Sequence, residues 1–144
     1  MAHAENSITI HRPAREVYDF LADGLNNNAW REGVKSISLT EGAAGEPGAL
    51  YSQTLTGPGG RPLQGDYRIT KAQPGRLLGF EVVAGPARPI GTYTLAEDAG
   101  HTIVHFALDA KLPLLMRVMD SMVTRTMQSE VAQAARLKQV LESR

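Results

Sequence analysis

Residues 114–143 contain neither Gly nor Pro, and this uninterrupted run constrains the possible folds more than any other feature. Apolar and small residues recur in it mostly at steps of three and four, which predicts one helix roughly 45 Å long. A helix with such a stripe is not stable alone, so it must bury this face against the rest of the chain. The predicted stripe consists of Leu115, Met119, Met122, Thr126, Val131, Ala134, Leu137 and Leu141.

The residues before this helix predict an antiparallel sheet, because short alternating segments are separated by turns rich in Gly and Pro. One early helix interrupts the pattern: Pro13 suits its first turn, Val17, Phe20 and Leu21 follow at helical spacing, and Gly24 ends it. The predicted strands cover residues 7–12, 34–41, 49–56, 63–72, 76–84, 90–95 and 102–110. The sequence therefore predicts one α+β domain over residues 1–144, in which a curved antiparallel sheet of six or seven strands surrounds the long C-terminal helix.

Composition excludes several classes of function. Fifteen basic residues balance fifteen acidic ones, so no overall basic excess attracts nucleic acid or an anionic membrane, and no nucleic-acid partner is expected. The absence of cysteine removes disulfides and thiolate metal sites and fits the cytoplasm, which is the expected location. The N-terminus does not resemble a signal peptide, and no apolar run is long enough for stable membrane insertion.

A ligand cavity is predicted where the curled sheet and the straight helix diverge, because a strongly twisted sheet cannot follow a helix along its whole length. The first half of the helix is rich in Met, which adapts to irregular space. The inward strand positions combine apolar side chains with Tyr and Gln groups, which suits an apolar pocket with a few orienting hydrogen bonds. The predicted ligand-binding residues are Trp30, Tyr51, Gln53, Tyr67, Phe80, Tyr93, Phe106, Met119 and Met122. The less favoured alternative is that the tyrosines are core residues whose hydroxyls reach the rim.

Several segments resemble the START-like (SRPBCC) superfamily, most closely its polyketide cyclase/dehydrase branch. Residues 8–23 resemble the opening strand and helix of that superfamily, and residues 28–34 resemble its next motif, in which Trp30 shortly precedes Gly33 and Val34. Residues 91–95, 100–104 and 135–142 resemble later parts of it. The resemblance implies a helix-grip fold with a hydrophobic cavity. It implies no single chemistry, because relatives include polyketide cyclases, lipid and sterol carriers, coenzyme-Q-binding proteins, hormone receptors and co-chaperones.

Catalytic and metal-binding patterns are weak in this sequence. His101 and His105 are four strand residues apart, roughly 13 Å, which is too far for one metal ion, so no metal site is expected. The Gly57–Gly60 turn lacks the Lys-Ser/Thr of a phosphate loop, and no Ser lies in a nucleophile elbow. No cofactor is expected, and the catalytic residues, if there are any, are unknown.

Two residues keep alternative interpretations. Glu130 lies near the helical stripe, where a carboxylate could orient a ligand or act as a base, or could instead reach solvent or pair with an Arg. Trp30 either packs the small helices onto the sheet or contacts ligand at the mouth of the pocket.

Three functions remain open on this reasoning. The favoured one is a non-catalytic binder or carrier of a small hydrophobic or aromatic molecule. The second is a polyketide cyclase- or dehydratase-like enzyme that acts by positioning its substrate. The third is a protein-interaction module of the co-chaperone type, which should expose an apolar patch. The sequence also leaves a homodimer open.

Overall fold

A curved antiparallel sheet forms the frame of the molecule, and the computed structural model describes residues 2–85 and 87–144 of the chain. Its strands are β1 Ala2–Ile10, β2 Val34–Glu41, β3 Leu50–Thr56, β4 Pro62–Gln64, β5 Tyr67–Gln73, β6 Leu77–Val82, β7 Ile90–Asp98 and β8 His101–Ala110. Their order is β1-β8-β7-β6-β5-β3-β2, with the short β4 paired to β3. All these pairings are antiparallel.

Helices cover the concave face of this sheet. They are α1 Ala14–Ala22, α2 Asn27–Trp30, α3 Asp120–Ala132 and α4 Ala134–Glu142, with 3-10 turns at Gly24–Asn26, Pro58–Gly60 and Leu114–Met119. Helix α3 packs chiefly against β1 and also contacts β8, whereas α4 packs against β1 and α2. The long helical segment therefore lies over the β1–β8 side of the sheet, and its N-terminal part diverges from the β2–β3 side.

Strand alternation places the core as the sequence predicts. In β8, Thr102, Val104, Phe106, Leu108 and Ala110 are all buried, while the side chains between them are exposed or half-buried. The same period of two directs the inward side chains of β3, β5, β6 and β7 toward the helices. The α+β helix-grip architecture predicted from the sequence is confirmed.

Apart from shifts of a few residues at strand ends, such as β7 continuing to Asp98, the sheet differs from the prediction at two places. Strand β1 begins at Ala2 instead of residue 7, and its outer residues pair with β8 as far as Ala110. The strand predicted over residues 63–72 is divided into β4 and β5, which gives eight strands. The division falls at Gly65 and Asp66, because the Asp66 carboxylate accepts a hydrogen bond from the Gln53 backbone N–H at 3.0 Å and so interrupts the ladder.

The C-terminal helix also departs from a single straight element. Its first turns form a 3-10 helix over Leu114–Met119, and the α-helix is interrupted at Gln133. The Gln133 side chain accepts a hydrogen bond from the Glu32 backbone N–H at 2.8 Å, which fixes this bend against the end of α2. No described helix has the length and apolar character needed to cross a bilayer.

The predicted inward stripe of the helix is confirmed in the second half of the helix, and the prediction is wrong in the first half. Val131, Ala134, Leu137 and Leu141 are buried as expected. Leu115 and Thr126 are exposed instead, and the buried residue at this level is Met127. Because the helix diverges from the curled sheet here, no surface covers the residues assigned to the stripe by spacing alone.

Candidate functional site

An aromatic cluster fills the space between the sheet and the short helix α2. The Tyr93 and Phe106 rings stack with centroids 4.4 Å apart, and the Trp30 indole meets both rings edge to face at 6.4 and 6.5 Å. Trp30 itself is 0% exposed. These contacts match the first interpretation of Trp30, in which it packs the small helices onto the sheet.

A second aromatic pair continues this wall toward β3. The Tyr51 and Tyr67 rings stack at 5.1 Å, and Phe80 meets Tyr67 edge to face at 5.5 Å. The Tyr51 hydroxyl donates to the Ala22 carbonyl at 3.5 Å and accepts from the Gly45 N–H at 3.3 Å. The polar tip of Tyr51 is therefore held by backbone groups of the neighbouring segments.

Asn27, on the first turn of α2, organises the buried polar groups beside this wall. Its side-chain amide donates to the Tyr67 hydroxyl at 2.9 Å and to Gln53 Oε1 at 3.4 Å. Gln53 in turn donates from Nε2 to the Gly65 carbonyl at 3.4 Å. Two strands and one helix thus share a connected polar network inside an apolar region, where such networks fix the conformation.

Arg31 places a buried positive charge next to this network. Its guanidinium donates from Nη2 to Glu130 Oε2 of α3 at 3.0 Å, and the two side chains are 9% and 27% exposed. Burial opposes the charge of Arg31, but Glu130 and, more weakly, Tyr93 and Tyr67 outweigh it and raise its pKa. Glu130 therefore adopts the Arg-paired role that the sequence left open for it.

Burial has the largest effect on the pKa values of Tyr93 and Tyr67, the two tyrosines near the Arg31 charge. It raises the pKa of Tyr93 to about 12, although Arg31 partly opposes the shift. Burial also raises the pKa of Tyr67, again partly opposed by Arg31 and by the Asn27 hydrogen bond. Both hydroxyls are consequently neutral at physiological pH, so they can donate hydrogen bonds but cannot act as bases.

Two spaces adjoin Arg31. The inner one is a cavity of about 10 Å³, which has room for about one water molecule. The outer one is a cleft of about 700 Å³, open to solvent, between α3 and the ends of β2 and β3. The inner cavity is lined by Leu21, Asn27, Arg31, Tyr67, Ile69, Leu78, Phe80 and Tyr93. The cleft is lined by Arg31, Glu32, Gly33, Val34, Leu55, Thr56, Met122, Arg125, Thr126, Ser129, Glu130 and Gln133.

The structure brings together some of the residues predicted to bind ligand. Seven of them are buried, namely Trp30, Tyr51, Gln53, Tyr67, Phe80, Tyr93 and Phe106. Of these, Tyr67, Phe80 and Tyr93 line the inner cavity. Met122 lines the open cleft and is 49% exposed. Met119 is 38% exposed, and together with Trp30, Tyr51, Gln53 and Phe106 it lines neither space.

Sequence reasoning missed Asn27 and Arg31. The composition of residues 26–28 indicates only a turn, and Arg31 enters only as part of the motif around Trp30. The spacing did carry a signal, because residues three and four apart on a helical turn share a face. Asn27, Trp30 and Arg31 have this spacing, and a buried Trp would place the other two beside it.

Ionisable groups elsewhere do not form a metal centre in the described part of the chain, where no cluster of three or more His, Asp or Glu residues could hold an ion. His3 is paired through both ring nitrogens, which lie 2.6 Å from Asp109 Oδ1 and 2.6 Å from Glu5 Oε2. Asp109, followed by Glu5, raises the pKa of this surface His3.

Known structures with the same architecture are numerous. A START superfamily protein from Mycobacterium smegmatis superposes with a TM-score of 0.82 at 11% identity, covering 99% of both chains. The protein TTHA0849 from Thermus thermophilus gives 0.78 at 17% identity over 98% of both chains. The di-domain ARO/CYC BexL from the BE-7585A biosynthetic pathway gives 0.69 at 21% identity, covering 99% of this chain and 47% of that one. At these identities the likeness establishes the START-like fold alone.

Sequence comparison gives the family. No functionally curated protein matches the chain significantly. The model of one family, described as "Polyketide cyclase / dehydrase and lipid transport", matches residues 1–142. That match spans the sheet, the small helices and the C-terminal helix together. The chain therefore belongs to the polyketide cyclase/dehydrase and lipid transport family and has the START-like fold.

Proposed function

We propose that the protein is a non-catalytic binder or carrier of a small molecule with an apolar or aromatic body and one oxygen-bearing end. The observation that carries this proposal is the position of Arg31, which lines both the open cleft and the inner cavity. A ligand body in the cleft would lie along Met122, Val34 and Leu55, with its polar end at Arg31. The cleft volume falls within the range of roughly 300–1,000 Å³ that is usual for small-molecule sites.

The polar end of the ligand is expected to be a hydrogen-bond acceptor. Arg31 carries a permanent charge, and Tyr67 and Tyr93 keep their protons at neutral pH. The buried Arg31 Nε has no hydrogen-bond partner among the described residues, so one donor is unused. A carbonyl, phenol or carboxylate oxygen would satisfy such donors, whereas a cationic ligand would be repelled.

Binding is favoured over turnover because the carboxylate paired with Arg31 and the two phenols beside it offer no available base. Glu130 already accepts from Arg31 at 3.0 Å, and burial keeps the tyrosines protonated. Of the nine residues predicted from the sequence, Met122 lines the proposed ligand site in the cleft, and Tyr67, Phe80 and Tyr93 line the inner cavity beside it. Direct contact of these three aromatic rings with a ligand would require the inner cavity to open, because it has room for only about one water molecule.

A cyclase- or dehydratase-like enzyme is the second candidate, and the donors around Arg31 favour it. A positive charge and two hydroxyls near one point could polarise a substrate carbonyl and stabilise the oxyanion that develops when a water molecule in the open cleft takes a proton from the adjacent carbon. The similarity in fold to an ARO/CYC protein fits this alternative. Turnover of a poly-β-ketone analogue that is abolished by Arg31→Met would favour it.

Enlarging Met122 tests the proposed binding site. Because Met122 is 49% exposed and lines the cleft, Met122→Phe should leave the melting temperature nearly unchanged. It should weaken saturable binding of the neutral probe N-phenyl-1-naphthylamine by about tenfold, or roughly 1.4 kcal/mol. Fluorescence titration and thermal melts measure the two effects, and native mass spectrometry of fresh protein identifies any bound molecule.

Met127→Phe is the matched control, because Met127 is 3% exposed within the core. Overpacking there should cost roughly 1–3 kcal/mol of stability with little effect on probe affinity. If Met122→Phe behaves like this control, Met122 is a packing residue and the cleft is not the site.

A further inference from the structure

The segment that leads into α3 exposes an unusual amount of apolar surface. Leu114, Leu115 and Val118 are 75%, 92% and 88% exposed, and Met119 and Met122 are 38% and 49% exposed. These five residues lie within nine positions and are called the apolar face below. Single exposed apolar residues need no explanation, but a contiguous group of this kind marks an interaction site.

The segment is anchored, so its exposure is a feature of the fold. Leu112 is 5% exposed, and Met116 packs against the core between the exposed residues. The backbone N–H of Met116 also donates to the Pro113 carbonyl at 2.8 Å, which closes the first 3-10 turn. The fold therefore holds Leu114, Leu115 and Val118 in a fixed outward arrangement.

Basic residues lie before, within and after the apolar face along the chain. Lys111, Arg117 and Arg125 are all exposed, and none of them forms a salt bridge with another residue of the described chain. The acidic residue of this segment, Asp120, is half-buried and accepts from Thr124 at 3.3 Å. Because the whole chain has a formal net charge of zero, this local excess is a property of the segment.

We propose that the apolar face docks onto an anionic lipid bilayer. Exposed aliphatic side chains between Lys and Arg residues are the combination that inserts into the interface of an anionic leaflet, where lipid phosphates neutralise the cations. A second copy of the chain would instead bring a second set of the same three cations to the contact. Met122 belongs both to this face and to the cleft lining, so a docked molecule would present the cleft mouth to the lipid.

This inference goes beyond the proposed ligand binding and does not depend on it. Sedimentation with vesicles tests it, using phosphatidylcholine with and without phosphatidylglycerol. We expect the wild type to partition onto the anionic vesicles and to be released by salt. Leu115→Ser/Val118→Ser should lower the partition coefficient by about tenfold or more, because the loss of two aliphatic side chains removes the buried apolar area.

A matched variant separates the apolar face from general surface hydrophobicity. Ile90 and Ile103 lie on β7 and β8 and are 55% and 49% exposed. Ile90→Ser/Ile103→Ser removes two exposed aliphatic side chains elsewhere and should partition like the wild type. All four substituted positions are at least 49% exposed, so both variants should remain folded, as thermal melts verify.

The charge contribution has its own pair of variants. Arg117→Gln/Arg125→Gln should weaken partition onto the anionic vesicles by roughly tenfold or more, because each Lys or Arg near an anionic surface strengthens binding about fivefold. Lys71→Gln/Arg76→Gln removes two exposed cations, one from β5 and one from the turn before β6, and should have no comparable effect.

Three outcomes would overturn the proposal. They are the absence of wild-type partition onto anionic vesicles, equal partition by the two Ser variants, or a dimer in light scattering that Leu115→Ser/Val118→Ser abolishes without any vesicle binding. The last outcome would identify a contact between copies of the chain. Probe titration of the same variants without vesicles keeps the cleft separate, because failed probe binding with intact partition contradicts only the proposed ligand binding.

Discussion

At the scale of single residues, Arg31 lies next to the aromatic cluster, the Glu130 carboxylate, the inner cavity and the open cleft. It follows Trp30 at the end of α2, its guanidinium carbon lies 5.9 Å from the Trp30 ring centroid, and it pairs with Glu130 across the cleft. A buried charge costs free energy unless a partner compensates it. Glu130 supplies that compensation, and the proposed ligand site would give the same charge a second partner.

The Arg31–Glu130 pair gives the first prediction at this scale. Glu130→Gln leaves the buried guanidinium without a counter-ion. The free energy of unfolding, measured in urea, should therefore fall by roughly 1–3 kcal/mol. This is below the roughly 3–5 kcal/mol of fully buried pairs, because the Glu130 side chain is 27% exposed. Replacement of both residues by Met should recover most of the loss.

Arg15 and Asp19 provide the control, since their side chains are 70% and 59% exposed at a separation of 3.0 Å. Asp19→Asn should cost no more than about 0.5 kcal/mol. Equal costs for Glu130→Gln and Asp19→Asn would mean that the Arg31 charge is hydrated in solution and that the cleft wall is not fixed by this pair.

The sequence predicted the strand-borne part of the site better than the helix-borne part. Tyr51, Gln53, Tyr67, Tyr93 and Phe106 are buried as strand alternation required, because hydrogen bonds to neighbouring strands leave each side chain only two possible directions. The direction of a helical side chain depends on how far its partner surface extends. That extent is set by the curvature of the sheet, which no local pattern reveals, so Met119 and Met122 are exposed.

At the scale of elements, the pairing of β6 with β7 shapes the aromatic wall. Phe80 lies opposite Gly91 in this register, and its ring occupies the space that a side chain at position 91 would need. A Cβ atom on Gly91 would come within 2.1 Å of Phe80 Cζ. The glycine therefore allows the Phe80 ring to lie flat over the neighbouring strand beside Tyr67 and Tyr93.

Gly91→Ala tests this arrangement between elements. The Phe80 ring must move, and since it is packed against Tyr67, Tyr93 and Phe106, we expect a loss of roughly 1–3 kcal/mol or more. Gly79→Ala on β6 is the control, because the nearest atoms to its Cβ would be Thr70 Oγ1 at 3.2 Å and the Lys71 side chain at 3.3 Å. Urea unfolding should show a clearly smaller loss there, and equal losses would refute the packing argument.

At the scale of the whole molecule, the sheet, α2 and α3 together bury two tyrosines. Their burial makes the stability of the protein depend on pH at alkaline values. Tyr93 is 5% exposed and Tyr67 is 7% exposed, so each phenol is kept from water by several elements at once. Ionisation of either phenol would place a negative charge inside the apolar cluster. Both groups should therefore resist titration until the molecule unfolds.

The sign of the effect follows from the raised pKa values. Below pH 10 the tyrosines are neutral in both states, and their contribution to stability is fully present. Above pH 10 the unfolded chain loses these protons, while folded Tyr93 retains its proton up to a pKa of about 12. The free energy of unfolding should thus fall as pH rises from about 10 to about 12, by roughly 1.4 kcal/mol per pH unit for each such tyrosine.

Tyr93→Phe isolates this contribution. The variant should lose less stability than the wild type between pH 10 and pH 11, by about 1 kcal/mol, because it has one phenol fewer to ionise on unfolding. Urea midpoints followed by the fluorescence of Trp30, which is the sole tryptophan and is fully buried, measure both proteins at pH 8, 10 and 11. Values at pH 8 serve as the reference, because lysines and the remaining tyrosines titrate alike in the two chains. Parallel pH profiles would show that water reaches Tyr93 in the folded state, and hence that the inner cavity opens to the cleft without a ligand.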